Sequence, residues 1–318
     1  MANVLITGAA GFIGSHLADR CADAGHSVFA LVEPATSLHR LASSASRTEV
    51  LRADFGDRKA FTVCLEAAKP DYLFHLATRT RRSAQPELAD AFQSVEEDLL
   101  NLLAILRWAA TTSRPPRVVV RTGSLAEYGA RPGPATETQR ETPTTSYAAS
   151  LVAGTHFSQM LRHRLPFALV TARLALVYGP RQSEKFLIPA LINQCLDGRP
   201  GRIHRERDRR DLLYVDDAVS ALLTLATRTP AGDGLFNIST GIAPTVREIA
   251  ELIIAYTGSD PGLLEFQHRD DPEAIPDFRA DPGHMAAATG WRARMPYDEG
   301  LQNTVAWFRD HRRRGQEA

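Results

Sequence analysis

Val4-Leu5-Ile6-Thr7-Gly8-Ala9-Ala10-Gly11-Phe12-Ile13-Gly14-Ser15-His16-Leu17 carries the main structural signal of this 318-residue sequence. The apolar run Val4–Ile6 predicts a short strand. Ile13, Leu17 and Cys21 fall at i, i+4 and i+8, the spacing of one helix face. Gly25 ends that helix, and Val28 to Val32 reads as the next strand. Between the first strand and the helix, Gly8 allows a sharp turn, Gly11 lets the backbone approach a pyrophosphate, and Gly14 lets the helix lie close to the sheet. Unpaired N–H groups at the helix start would then face the phosphates.

The second strand leads into Glu33. A carboxylate there accepts hydrogen bonds from an adenosine ribose and repels a 2′-phosphate, which favours NAD over NADP. His39 and Arg40 are the nearby groups that a 2′-phosphate would need. Asp54, past the third strand, is placed to meet an adenine amine.

Working outward, strands and helices keep alternating. Leu65 to Ala68 closes a helix, Tyr72 to Leu76 is a strand, Leu99 to Ala110 a helix and Val118 to Arg121 a strand. Tyr147 to Arg162 is a helix and Ala168 to Ala172 a strand. Such alternation implies right-handed crossovers and a parallel sheet. The expected fold is α/β, a Rossmann-type doubly wound parallel sheet over residues 1–177. After residue 178, prolines 180, 189, 200 and 230 break the chain into shorter pieces, with helices expected at 216–227, 246–256 and 298–312. Residues 178–318 are expected to form mainly a smaller substrate-binding lobe, with some segments returning to the first domain.

Composition narrows the function classes. Lys and Arg number 37 and Asp and Glu 37, so the formal net charge is zero, unlike a dedicated nucleic-acid binder. Cys21, Cys64 and Cys195 are scattered, which argues against a disulfide framework or a zinc site, and no metal site is expected. No apolar run reaches the roughly 18 residues that span a bilayer. A cytoplasmic protein without a membrane or nucleic-acid partner is expected. Only Lys59, Lys69 and Lys185 are lysines.

Further motifs follow in order: Asp54, His75-Leu76-Ala77, Gly123-Ser124 with Glu127-Tyr128-Gly129, Tyr147, Tyr178-Gly179-Pro180, Arg210-Asp211 with Tyr214-Val215 and Asp217, Phe236-Asn237-Ile238, and Gly290-Trp291. Together with residues 7–14, they give the sequence a nearly end-to-end resemblance to the extended short-chain dehydrogenase/reductases, also called NAD-dependent epimerase/dehydratases. The resemblance implies hydride transfer between a nicotinamide and a sugar carbon, usually carbon 4, of a nucleotide sugar. It implies catalytic roles for Tyr147, as general base or acid, and for Ser124, hydrogen-bonded to the same substrate oxygen. For the cofactor it implies Gly8, Gly11, Phe12, Ile13 and Gly14, then Glu33, Asp54 and Phe55, then Leu76, Ala77 and Tyr147. For the substrate it implies Ser124, Arg210, Arg269 and Lys185, with Arg181 a further cation. A homodimer through the helices at 99–110 and 147–162 is also implied.

The sequence departs from that pattern in several places. The family's lysine four residues after the tyrosine is Leu151 here, on the same helix face as Tyr147. A tyrosine with a pKa near 10 needs a neighbouring cation to act as a base near neutral pH. Two asparagines usual near the substrate are Leu176 and Val95. The Asp-Glu pair with which 4,6-dehydratases shuttle protons is replaced by Leu125 and Ala126, which disfavours dehydration. The expected activity is epimerisation at carbon 4, with NAD retained across the cycle. Two alternatives are a reductase of 4-keto-(6-deoxy) nucleotide sugars, suggested by Glu127-Tyr128, and a catalytically silent dinucleotide-binding sensor or partner protein, suggested by Leu151, Leu176 and Val95.

Overall fold

The computed structural model describes residues 1–54, 56–80, 82–130, 133–228, 234–267 and 277–316. At its centre are β1 (Asn3–Thr7), β2 (Ser27–Val32), β3 (Thr48–Arg52), β4 (Tyr72–His75), β5 (Val118–Ser124) and β6 (Ala168–Leu174). They lie in the order β3-β2-β1-β4-β5-β6, the arrangement of a dinucleotide-binding sheet, and the strand Leu235–Ile238 adds a seventh member beside β6. Every neighbouring pair in the sheet is parallel.

Both faces of the sheet are covered, so its strands are apolar on both sides. In β1, Val4 and Ile6 join a core with Leu17, Leu222 and Leu225. Leu5 points the other way, into a second core with Phe61, Leu65, Ile105 and Trp108. The crossover helices are α1 (Phe12–Asp23), α2 (Arg58–Ala68), α3 (Ala89–Ser94), α4 (Asn101–Thr111) and α5 (Ser146–Leu161). Asp57 caps α2 by accepting from the N–H groups of Lys59 and Ala60.

Two elements differ from the sequence expectation, each for a local reason. The helix expected at 99–110 is the last part of a longer one. It starts at Ala89, passes through a wide turn at Val95–Leu100 and continues as α4. The wide turn shifts the helical phase, burying Asp98 while Val95 and Leu100 stay exposed. The segment after residue 178 includes a helix, Leu187–Leu196. Pro189 is its third residue, in the first turn, where a missing N–H breaks no helical hydrogen bond. Among the described residues, no helix is long and apolar enough to cross a membrane.

Candidate functional site

The turn between β1 and α1 forms the floor of the site. Gly8 has a φ of +71°, and a Cβ there would stand 2.9 Å from the Ala77 nitrogen. A Cβ on Gly14 would collide with the Gly8 carbonyl oxygen. The Gly11 N–H bonds back to that oxygen at 2.9 Å. No side chain caps α1, and its first turn has no acidic residue, so its leading N–H groups remain available to an anion. Phe12 and Ile13 begin the helix and pack partly against the core.

A cleft of about 200 Å³ opens over this turn, with Gly8, Gly11, Glu33, Thr36 and Ala77 in its walls. Glu33 is exposed at the rim, one residue beyond β2. Leu76 donates its N–H to the Thr7 carbonyl, and the Ala77 N–H reaches the Thr7 hydroxyl at 3.3 Å. A nucleotide with a diphosphate fits this arrangement, because the cradle is bare backbone and the Glu33 carboxylate stands at the rim of the same cleft. Asp54 lies outside the cleft walls, its Oδ1 accepting from the Gly56 N–H at 2.8 Å. Phe55 lies outside the described residues.

Tyr147 stands in the first turn of α5, which Thr145 caps by accepting from the Ala148 N–H. Its phenol lies near the Ser124 hydroxyl at the end of β5, which favours the phenolate. Burial pushes the phenol above its ordinary value, and the Glu127 and Asp98 carboxylates push the same way. The Ser124 hydrogen bond and the Arg121 charge oppose them. Ser124 is fixed by a reciprocal cap: its hydroxyl accepts from the Ala126 N–H, and Glu127 Oε1 accepts from the Ser124 N–H at 3.0 Å. Glu127 is fully buried. Its other oxygen accepts from the Thr155 hydroxyl at 2.7 Å and pairs with Arg173 at 2.9 Å.

Leu151 is 4% exposed, one turn further along α5. Arg121, from β5, is 2% exposed and reaches the same turn. Its Nη1 donates to the Thr155 hydroxyl at 3.1 Å and its Nη2 to the Leu151 carbonyl at 3.3 Å. Beside it on β4 is His75, which burial, reinforced by the Arg121 charge, pushes down to about 3. His75 is therefore neutral, with Nδ1 2.8 Å from the Thr7 hydroxyl. Asp98 Oδ1 accepts from Thr78 and pairs with Arg82, and its Oδ2 accepts from Ser150. The sequence reading missed Arg121 and Asp98. The available signal for Arg121 was an arginine directly after Val118-Val119-Val120.

The substrate candidates are more scattered. Arg210 binds Asp208 at 2.8 Å and the Arg209 carbonyl. Lys185 is exposed. Arg181 pairs with Asp19 of α1 at 2.9 Å and donates to the Arg40 carbonyl. Arg269 lies outside the described residues. Several other motif residues hold the fold together. Asn237 accepts from the Tyr128 hydroxyl at 2.7 Å, Asp211 accepts from the N–H groups of Thr240 and Gly241, and the Trp291 indole donates to Ser220.

Residues 4–239 match the NAD dependent epimerase/dehydratase family. A UDP-glucose 4-epimerase from Mycolicibacterium smegmatis is 33% identical over 323 residues, covering 96% of this chain and 98% of that protein. A dTDP-D-glucose 4,6-dehydratase from Mus musculus is 26% identical over 323 residues, covering 96% and 88%. Among solved structures, the UDP-glucose 4-epimerase of Thermus thermophilus in complex with NAD aligns with a TM-score of 0.82 and 26% identity, over 96% of this chain and 98% of that one.

Proposed function

Because the chain belongs to the NAD dependent epimerase/dehydratase family and its relatives include a UDP-glucose 4-epimerase and a dTDP-D-glucose 4,6-dehydratase, we propose that it epimerises a nucleotide sugar at carbon 4. NAD is the cofactor, and when bound it supplies reversible hydride acceptance at the sugar carbon. Gly8, Gly11 and Gly14 hold its diphosphate and Glu33 its adenosine ribose. Residues 178–318 cover the sugar nucleotide, and two chains pair through α5 and the long helix from Ala89 to Thr111 whose last part is the 99–110 segment.

One observation carries the preference for epimerisation. The Tyr147 phenol lies near the Ser124 hydroxyl at the end of β5, and no free acid adjoins them in the following turn. Leu125 is buried, Ala126 cannot ionise, and both Glu127 oxygens are already engaged. Water loss from the sugar needs an acid–base pair of its own; removal and return of one hydroxyl proton needs only Tyr147. Tyr147 takes that proton from the substrate oxygen and later returns it, while Ser124 holds the oxygen in place. The engaged Glu127 keeps Ser124 oriented.

The test is incubation with UDP- and dTDP-hexoses, with the nucleotide sugars separated and identified. A 4-epimer formed without net consumption of NADH, and absent with Tyr147→Phe, supports the reading. Net NADH oxidation on a 4-keto substrate would make the protein a reductase. A 4-keto-6-deoxy product would make it a dehydratase. No turnover of any nucleotide sugar would leave a dinucleotide-binding protein.

A further inference from the structure

Two arginines stand on adjacent buried strands and are treated differently. Arg173 of β6 is fully buried and lies between two carboxylates, Glu127 at 2.9 Å and Glu141 at 2.5 Å. Arg121 of β5 is almost as deeply buried, yet both of its hydrogen bonds go to neutral oxygens, Thr155 Oγ1 and the Leu151 carbonyl. A buried cation is costly unless an anion compensates it. The resting structure gives Arg121 no such direct partner among the described residues.

The surrounding charges sharpen the point. On the turn after β5, Glu127 is paired with Arg173. On the wide turn before α4, Asp98 is paired with Arg82 at 3.2 Å. On β4, His75 is neutral. The two carboxylates facing Tyr147 are thus each paired directly with another arginine; Glu127 reaches Arg121 only through the Thr155 hydroxyl, and Glu127, Asp98 and the Tyr147 phenol favour the Arg121 charge without touching it. Gly154 makes room for it, since a Cβ there would stand 3.0 Å from Arg121 Nη2 and 3.1 Å from Cζ. The small cavity lined by Arg121, Leu151 and Gly154 shares Ala77, Thr78 and Asp98 with the cofactor cleft.

We propose that Arg121 is the positioning residue for Tyr147: its guanidinium, held on the α5 backbone one turn past the tyrosine, supplies the positive charge that residue 151 does not. The Tyr147 phenolate, present before it takes the substrate proton and again after it returns it, then adds to the longer-range compensation that Glu127 and Asp98 give Arg121. The inference rests on the reading of Tyr147 as the proton-transferring group. It assigns the balancing charge to β5 rather than to α5, so the charge is carried by the sheet and reaches across to the helix.

The experiment replaces Tyr147 by 3-nitrotyrosine, whose phenolate absorbs visible light, and titrates the NAD-loaded protein. Removing the charge with Arg121→Met should raise the midpoint by about one pH unit or more, and Arg121→Lys should return most of that shift. Arg121→Gln, a neutral side chain that keeps hydrogen-bonding capacity, provides the same comparison if the methionine variant does not fold. A midpoint that stays within a few tenths of a unit in a folded, charge-free variant would overturn the proposal. The kcat–pH profiles of the same Arg121 variants with Tyr147 intact should shift in parallel, with KM little changed. The titration needs no turnover, so it remains readable if no nucleotide sugar is converted. An active enzyme with an unmoved phenol would sink this inference alone.

Discussion

Arg121 donates from Nη2 to the main-chain carbonyl of Leu151 at 3.3 Å, so an apolar residue on α5 and a cation on β5 occupy one buried turn. Putting a lysine at residue 151 would therefore add a second cation to a space that already holds one. Leu151→Lys is expected to lower the melting temperature, and Arg121→Met in the same chain should relieve the repulsion. The double variant should be more stable than the sum of the single changes by roughly 1–3 kcal/mol. The rising limb of its activity–pH profile should lie at or below that of the parent. A thermal double-mutant cycle reads the coupling, and additive effects would show that the two side chains do not share the turn electrostatically.

Glu33 is expected to set cofactor preference through the adenosine ribose. A charged hydrogen-bond acceptor removed from a ribose diol costs about 1.5–3 kcal/mol, or roughly ten- to a hundred-fold in affinity. Glu33→Ala should weaken NAD binding by that factor and improve NADP binding, because the repulsion of a 2′-phosphate is gone. The preference should narrow without reversing, since Arg40 is already committed through Nε to the Arg181 carbonyl at 3.0 Å and His39 lies against Ser37. Titrating both dinucleotides against the variant checks this; unchanged affinities for both would place Glu33 outside the ribose site.

His75 gives the fold an acid-sensitive term. Burial, reinforced by Arg121, holds it at about 3, whereas in the unfolded chain it titrates near 6.5. Below that unfolded value the unfolded chain binds a proton that the folded protein refuses. Stability from this group is thus full above about pH 6.5 and falls, as pH drops toward 3, by about 1.4 kcal/mol per unit. His75→Gln removes the titration, so its urea midpoint should fall less than the parent's between about pH 7 and pH 4.5. Identical slopes for the two proteins would show that His75 protonates freely in the fold.

The sheet and the phosphate cradle were legible because each has a local signature. Val4–Ile6 and Val28–Val32 are apolar runs bounded by turn residues, and the Gly8, Gly11 and Gly14 spacing has a steric reason that the Gly8 and Gly14 contacts bear out. The wide turn at Val95–Leu100 was not legible, since one extra residue in a helical turn shifts the phase without marking it in composition. Arg121 was hidden for a different reason. A charged residue after three valines reads as a strand end, yet β5 runs on to Ser124. What holds Arg121 inside the protein is Thr155 and the Leu151 backbone, both some thirty residues away in sequence. Glu127 was visible as part of a motif, but its engagement by Arg173 depends on the neighbouring strand.

The outer face of α5 makes the last prediction. Tyr147, Ser150, Leu151, Gly154, Thr155 and Ser158 form the side turned toward the sheet and the site, and the last five are buried. Phe157 and Met160 face away, 39% and 50% exposed. α5 packs against α3 and the wide turn that follows it, where Phe92, Val95 and Leu100 are 67%, 45% and 52% exposed. Apolar side chains gathered in this way on packed elements are costly to leave in water and favour a second copy of the same surface. The protein should sediment at about twice the 34.9 kDa chain mass, and Phe92→Asp with Met160→Asp should halve that value. The wide turn also carries Asp98 and α5 carries Tyr147, so the monomeric variant should lose part of its kcat as well. A parent chain that sediments as a monomer at micromolar concentration would refute the pairing.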